Sequence, residues 1–287
     1  MSDTPSQDDL DAIRHLVNNR PEEDFCGLSP NEMHELVFDT YEESSPLKIN
    51  SVVPDQVLDR LPFLRLTEEF LKIVQRDRFI KLTPLGALPK KTLTELYDHR
   101  YIRDEMIELG ITTLSREAYC NFLSTLHYNT VWAGLLRKAN GRLTLSKTGK
   151  ELQMPANRNA LFLKTLNAYT EKLAWSDMDG FPAMPVGNLG WGFTLYMLSK
   201  EGDAPREANH YAEKYLKAFP EFLHTYPKRE FSTPVQDLTR CYCLRTFERF
   251  LEWWGFVRAE EPRPRSEREL TRYMAAPELG QVFHFDC

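Results

Sequence analysis

The sequence predicts a mainly α-helical protein in which a few short β-hairpins interrupt amphipathic helices. Apolar residues recur at helical spacing along most of the 287-residue chain, for example at Phe63, Leu66 and Phe70. A short alternating segment that ends in Leu-Thr or Leu-Ser, then two residues and a glycine, occurs at 79–86 and again at 142–149. Each copy lies between two helical stretches, as the wing of a winged helix does. We therefore expect tandem winged-helix-like modules with short β-hairpins.

The individual elements follow from start signals and periodicity. Ser29 is suited to cap a helix, Pro30 suits its first turn, and Glu32 completes a capping box. Apolar spacing predicts further helices over about 9–19, 54–61, 62–76, 101–109, 157–175, 189–200, 206–219 and 234–254, one that Pro89 opens, and a long one that begins at Ser115 and includes Leu135 and Leu136. Alternation predicts strands near 46–52, 79–83, 142–146 and 256–274, the last of these forming a third, wing-like hairpin.

These elements divide the chain into four segments. They are an acidic, partly disordered N-terminal segment (1–24), a first winged-helix-like module (25–110), a second such module (111–176), and a C-terminal helical module with a wing-like hairpin (177–287). The last boundary falls in a loop that contains Gly180, Pro182, Pro185 and Gly187.

The net charge of −6 is spread unevenly along the chain. Residues 1–60 contain 14 acidic and 4 basic side chains, whereas residues 61–150 contain 9 acidic and 15 basic ones. Because basic side chains on a hairpin neutralise phosphates, the basic segment predicts contact with duplex DNA. The candidate nucleic-acid-binding residues are Arg76, Arg78, Lys81, Lys90, Lys91, Arg137, Lys138, Arg142, Lys147 and Lys150. The alternative is a protein-protein interaction scaffold whose hairpins are merely solvated, so the expected partner is DNA or another protein.

Several function classes find no support in the sequence. No apolar run approaches the roughly 18 residues that a membrane span needs. The first nine residues are polar and acidic, unlike a secretory signal, so we expect a cytoplasmic protein. The seven histidines and five cysteines are not spaced as metal ligands. We predict no catalytic residue, no cofactor and no metal site.

An enzymatic alternative rests on the loop at 176–192. Asp177, Met178, Asp179 and Gly180 resemble the Asp-x-Asp-Gly nucleophile loop of phosphatases of the haloacid dehalogenase type. That loop follows a buried strand, whereas here it follows the end of a predicted helix, and Phe181 stands where threonine is usual. A non-enzymatic binding module, DNA-binding or regulatory, is therefore favoured over a small hydrolase.

Three segments carry a resemblance to a known family. They are Gly27–His34 (Gly-Leu-Ser-Pro-Asn-Glu-Met-His), Leu82–Lys90 (Leu-Thr-Pro-Leu-Gly-Ala-Leu-Pro-Lys) and Cys241–Phe250 (Cys-Tyr-Cys-Leu-Arg-Thr-Phe-Glu-Arg-Phe). Together they resemble an uncharacterised bacterial family with winged-helix-like repeats, sometimes found beside Ri-plasmid ORF-like modules of mobile elements. The resemblance covers most of the chain from about residue 26. It implies a bacterial source and a helical, wing-bearing fold, and it assigns no functional residues.

Overall fold

The computed structural model describes residues 6–177, 179–260 and 263–286. Helices make up 56% of the structure and the strands form three small antiparallel sheets, so the prediction of a mainly α protein is confirmed. The α-helices are Gln7–Asn18, Pro30–Phe38, Asp55–Leu58, Pro62–Asp77, Lys90–Asp98, Glu105–Glu108, Asn121–Trp132, Lys147–Leu152, Arg158–Asn167, Trp191–Glu201, Ala208–Ala218, Pro234–Tyr242, Glu252–Trp254 and Pro277–Val282. Single 3₁₀ turns occur at Glu23–Phe25, Glu117–Tyr119, Pro155–Asn157, Pro220–Thr225 and Arg265–Leu270, and π-helical turns at Ala168–Lys172 and Cys243–Leu251.

The first sheet contains the strands Ile80–Lys81, Leu136–Ala139 and Arg142–Leu145, with Arg142–Leu145 in the centre. Ile80 lies opposite Leu143, so the two copies of the repeated sequence pattern pair with each other. The second copy forms the expected hairpin with Leu136–Ala139, whereas the first copy has no hairpin of its own and adds a strand to this one. The strands of this sheet therefore come from both sides of the division expected between residues 110 and 111. We call residues 62–145 the first unit.

The second sheet contains Arg206–Glu207, Val257–Glu260 and Arg272–Ala275, again with the last strand in the centre. The hairpin expected at 256–274 is thereby confirmed. We call residues 191–275 the second unit. Like the first unit, it begins with a helix and a short strand and ends with a hairpin, with further helices between them.

The helix before the first hairpin is shorter than its apolar periodicity suggests. It ends at Trp132, and Gly134 adopts a φ of +70° that turns the chain into the strand Leu136–Ala139. The prediction that Leu135 and Leu136 extend the helix is wrong. Leu136 belongs to the strand, Leu135 to the turn that leads into it, and both are buried. Apolar residues are favoured in buried strands as well as in buried helices, so their spacing alone did not distinguish the two. Gly149 packs against this turn, since a Cβ there would lie 2.1 Å from the carbonyl oxygen of Leu135.

A continuous helical rod forms the centre of the second unit. Thr233 and Gln236 make a capping box at its start, and Gly255 at a φ of +76° ends it. The middle of the rod, Cys243–Leu251, is π-helical and has hydrogen bonds from i to i+5. The aromatic side chains of Phe250 and Trp254 are buried here, whereas Trp253 is half-buried.

The two ends of the chain meet in a third sheet, where Leu47–Ile49 pairs with Phe283–Phe285. The N-terminal helix Gln7–Asn18 lies outside this packing and has no buried residue. Within the described ranges, no helix has both the length and the apolar character needed to cross a bilayer.

Candidate functional site

The exposed face of the first sheet collects basic side chains that are far apart in sequence. Lys81 lies opposite Arg142, and Arg137 lies opposite Thr144 in the same sheet. Directly opposed residues of antiparallel strands point to the same face, as do residues two apart along one strand. Lys81, Arg137 and Arg142 therefore share one face, and all three are exposed. We call these three residues the basic face.

Arg142 is held in place by a neighbouring aromatic ring. Its guanidinium carbon lies 4.4 Å from the centroid of Phe79, and 39% of Phe79 is exposed. A cation over an aromatic face at this distance is attracted by the ring. Lys138 belongs to the opposite face with Leu143, and its ammonium group reaches out to the carbonyl oxygen of Gly86 at 3.4 Å. The basic face is thus partly preorganised.

Five further predicted residues are exposed around this sheet: Arg78, Lys90, Lys91, Lys147 and Lys150. Arg76 differs from them because its charge is already compensated. It donates hydrogen bonds to Asp77 at 2.8 Å and to both carboxylate oxygens of Glu95, one at 2.5 Å and one at 3.1 Å. The hydrogen bond from Arg76 lowers the pKa of Asp77 and that of Glu95. We therefore remove Arg76 from the candidate phosphate contacts.

The helix Asn121–Trp132, which precedes the hairpin, contains neither lysine nor arginine. Eight of its twelve residues are buried, among them His127, which hydrogen-bonds the buried Glu117 at 2.9 Å. Its exposed surface is uncharged and mainly aromatic, with Tyr128 and Trp132 48% and 55% exposed.

The loop at 176–192 is anchored by a buried ion pair. Asp179 and Arg245 have fully buried side chains, and two of their nitrogen–oxygen contacts measure 2.5 and 3.2 Å. Arg245 also donates to the carbonyl oxygens of Met184 and Pro182 at 2.5 and 3.0 Å. Burial disfavours the charged form of Arg245, but Asp179 outweighs this effect and raises the pKa of the guanidinium.

The anchoring of Asp179 bears directly on the hydrolase alternative. A phosphatase of that type needs a free pair of carboxylates after a strand, and no strand precedes Asp177 in the described part of this loop. Met178 lies outside the described residues. Asp179 is instead occupied in holding the loop against the central helical rod, so the loop does not present the paired carboxylates that the chemistry requires.

A cleft of about 650 Å³ lies between the two units. One wall comes from residues 103–105 and Asn121 of the first unit, and the other from the π-helical turn and residues 263–273 of the second. Its volume falls within the roughly 300–1,000 Å³ of small-molecule sites. We call it the inter-unit cleft.

Two glutamates on the helical rod line this cleft. Burial raises the pKa of Glu248, and burial together with the charge of Glu248 raises the pKa of Glu252 to about 8. Arg249 lies between them, and burial lowers its pKa. Arg268 from the facing loop approaches Glu248 at 3.5 Å. Sequence reasoning missed both glutamates because nothing in their spacing distinguishes them from charges on a solvated helix.

Comparison with protein-family models, with curated proteins and with solved structures found no match for this chain. The resemblance to a bacterial family therefore stays a prediction. No group of three or more potential metal-ligating His, Cys, Asp or Glu side chains converges within the described ranges. The basic face and the inter-unit cleft are two candidate functional surfaces among the residues that the structure describes.

Proposed function

We propose that the protein is a non-enzymatic binding protein of winged-helix-like architecture that contacts the phosphate backbone of duplex DNA. The observation that carries the proposal is the convergence of Lys81, Arg137 and Arg142 on one exposed face of the first sheet. Sixty-one positions separate the first and last of these residues, so the fold, and not local sequence, brings them together.

The spacing of the basic face suits a charged backbone. Neighbouring strands are about 4.8 Å apart and residues two apart along a strand about 6.8 Å, so the Cα atoms of Lys81 and Arg137, on the two edge strands, are about 12 Å apart and Arg142 lies between them. Duplex DNA has one negative charge per about 1.7 Å of its axis. All three cations are therefore able to act on one short stretch of backbone, with Lys147 and Lys150 at its flank.

The same geometry favours binding without sequence recognition. Sequence is read at base edges by a helix or ribbon that enters a groove, whereas phosphate contacts carry no direct sequence information. The helix Asn121–Trp132 is mostly buried and uncharged, so it is poorly suited to enter a major groove. We expect similar affinities for duplexes of unrelated sequence.

The test is fluorescence anisotropy with a labelled duplex and the full chain. Replacing Lys81, Arg137 and Arg142 together by Ala removes three phosphate contacts and should weaken binding by about two orders of magnitude at 0.1 M salt. The matched control replaces three exposed basic residues elsewhere, Arg20, Lys217 and Lys228, and should weaken binding by less than about threefold. Equal losses in the two triple variants would refute the proposal.

The alternative of a protein-binding scaffold is favoured by the N-terminal helix. Leu10, Ile13 and Val17 lie at helical spacing and are 44%, 55% and 51% exposed. A 12-residue helix is marginal alone in water, which favours an apolar partner for this stripe. Sedimentation velocity tests self-association through it. If the wild type sediments as a monomer, and replacing the three residues with Ser does not change this, the partner of the stripe is not a second copy of this chain.

A further inference from the structure

The inter-unit cleft shares no residue with the basic face, and the charged side chains that line it indicate a second binding site. Most charged side chains that line it already have partners. Arg265 approaches Asp104 at 3.9 Å and Glu105 at 3.8 Å, and so links the second unit to the first. Arg268 pairs with Glu248 at 3.5 Å. Asp179 is committed to Arg245.

Glu252 is the exception among the acidic residues of the cleft. Within the described ranges its carboxylate has neither a hydrogen bond nor an ion pair, although the residue is half-buried. The neighbouring charge that acts on it is that of Glu248, which is also negative. An unpaired carboxylate in a confined space costs free energy, and a cation placed beside it would offset that cost.

Two further features of the cleft indicate which other chemical groups the ligand should carry. Trp253 follows Glu252 and lines the same cavity half-buried, so it offers an aromatic wall. Arg265 also lines the cleft, and its side chain is 52% exposed, so its guanidinium is accessible from the cavity. A donor of this kind suits an acceptor, such as a carbonyl oxygen, that the same ligand carries.

We infer that the inter-unit cleft binds an organic cation, a primary ammonium or guanidinium group on an apolar stem, with Glu252 as its counter-ion and Trp253 against the stem. Such a group belongs either to a free amine or to a lysine or arginine side chain of a peptide. A peptide also brings a carbonyl oxygen to Arg265, so the peptide-borne form should bind more tightly.

The site should respond to pH in a defined direction. A cation prefers the ionised carboxylate, and burial together with the charge of Glu248 raises the pKa of Glu252 to about 8, so affinity should rise as the pH increases through that value. A lysine ammonium stays charged over this range because its pKa is about 10.4. The charged and titratable groups facing Glu252 are Glu248 and Arg249 on its own rod, Arg263, Arg265, Arg268 and Tyr273 from the second hairpin, Arg103, Asp104 and Glu105 from the first unit, and Asp179.

The experiment is isothermal titration calorimetry on the full chain with three probes at pH 6.5 and pH 9. N-acetyl-lysinamide is the peptide-borne cation, 1,4-diaminobutane is the free amine, and N-acetyl-norleucinamide has the same stem without the charge. We expect binding of the two cations and none of the neutral probe, with affinity about tenfold or more higher at pH 9. Tighter binding of N-acetyl-lysinamide identifies a peptide as the source, and tighter binding of the diamine identifies a free amine.

Two variants complete the test. Glu252→Gln keeps the size of the side chain and removes its charge, and should cost at least tenfold in affinity at pH 9 and abolish the pH dependence. Glu221→Gln, at an exposed position remote from the cleft lining, should change neither. Equal affinities for wild type and Glu252→Gln would overturn the inference, as would the absence of binding by either cation. Neither result depends on whether DNA binds the basic face.

Discussion

Replacing Asp179 by Ala removes the counter-ion of an arginine that is completely buried. Both side chains of this pair are 0% exposed, and two of the four hydrogen bonds of Arg245 go to Asp179. Removing one partner of a buried pair typically costs about 3–5 kcal/mol because the remaining charge is left uncompensated. Arg245 would keep its bonds to two carbonyl oxygens, so we expect the lower end, about 3 kcal/mol of unfolding free energy.

Urea unfolding followed by circular dichroism measures this loss by linear extrapolation. The control is Asp11→Ala. Asp11 pairs with Arg14 at 3.8 Å, and the side chains of Arg14 and Asp11 are 72% and 55% exposed, so this ion pair should contribute about 0.5 kcal/mol or less. Adding Arg245→Met to Asp179→Ala should recover part of the stability, because the orphaned charge is gone. A loss below about 1 kcal/mol for Asp179→Ala would refute the structural role of the pair and return Asp179 to the candidates for chemistry.

Two further predictions concern the cleft and the first hairpin. The pKa of Glu252 is about 8 in the folded protein against 4.5 ordinarily, so the folded state binds more protons between these pH values and loses stability as the pH rises. Glu252→Gln should have the same unfolding free energy as wild type at pH 4.5 and one about 2 kcal/mol larger at pH 9. This is well below the full free energy of the pKa shift because the side chain is partly exposed. Equal urea midpoints at pH 9 would contradict this. Gly149→Ala should lower the unfolding free energy by about 2–4 kcal/mol in the same assay, because its Cβ would lie 2.1 Å from the carbonyl oxygen of Leu135. In the control, Gly141→Ala, the new Cβ would meet no atom within 4 Å, so only the strain of its φ of +68° should destabilise the protein. Similar losses in the two glycine variants would show that this packing is unimportant.

Local features of the fold were predictable because short-range physics decides them. Ser29 and Glu32 form the capping box that their spacing indicates, with the Ser29 amide 2.7 Å from the Glu32 carboxylate. The strands at 80–81, 142–145 and 257–260 lie where alternation placed them. Each of these features depends on residues within a few positions of one another.

The pairing of strands and the position of cavities could not be predicted, because both depend on segments that are far apart in the sequence. Which strand pairs with Ile80 is decided by the packing of whole helices, and the repeated pattern suggested separate hairpins where one sheet forms. The glutamates of the cleft gain their altered pKa from burial in the folded protein, which their sequence neighbours do not show. The π-helical turn also rotates side chains away from the positions that a 3.6-residue period assigns.

The salt dependence of DNA binding tests the central claim most directly. For wild type and for the triple variant of Lys81, Arg137 and Arg142, the association constant is measured between 50 and 300 mM salt, with intervals dense enough to define a slope. Each phosphate contact contributes about −0.9 to the slope of log K against log salt, so the triple variant should be shallower by about 2.7. Parallel lines for the two proteins, or no binding of the intact chain at the lowest salt, would contradict the account.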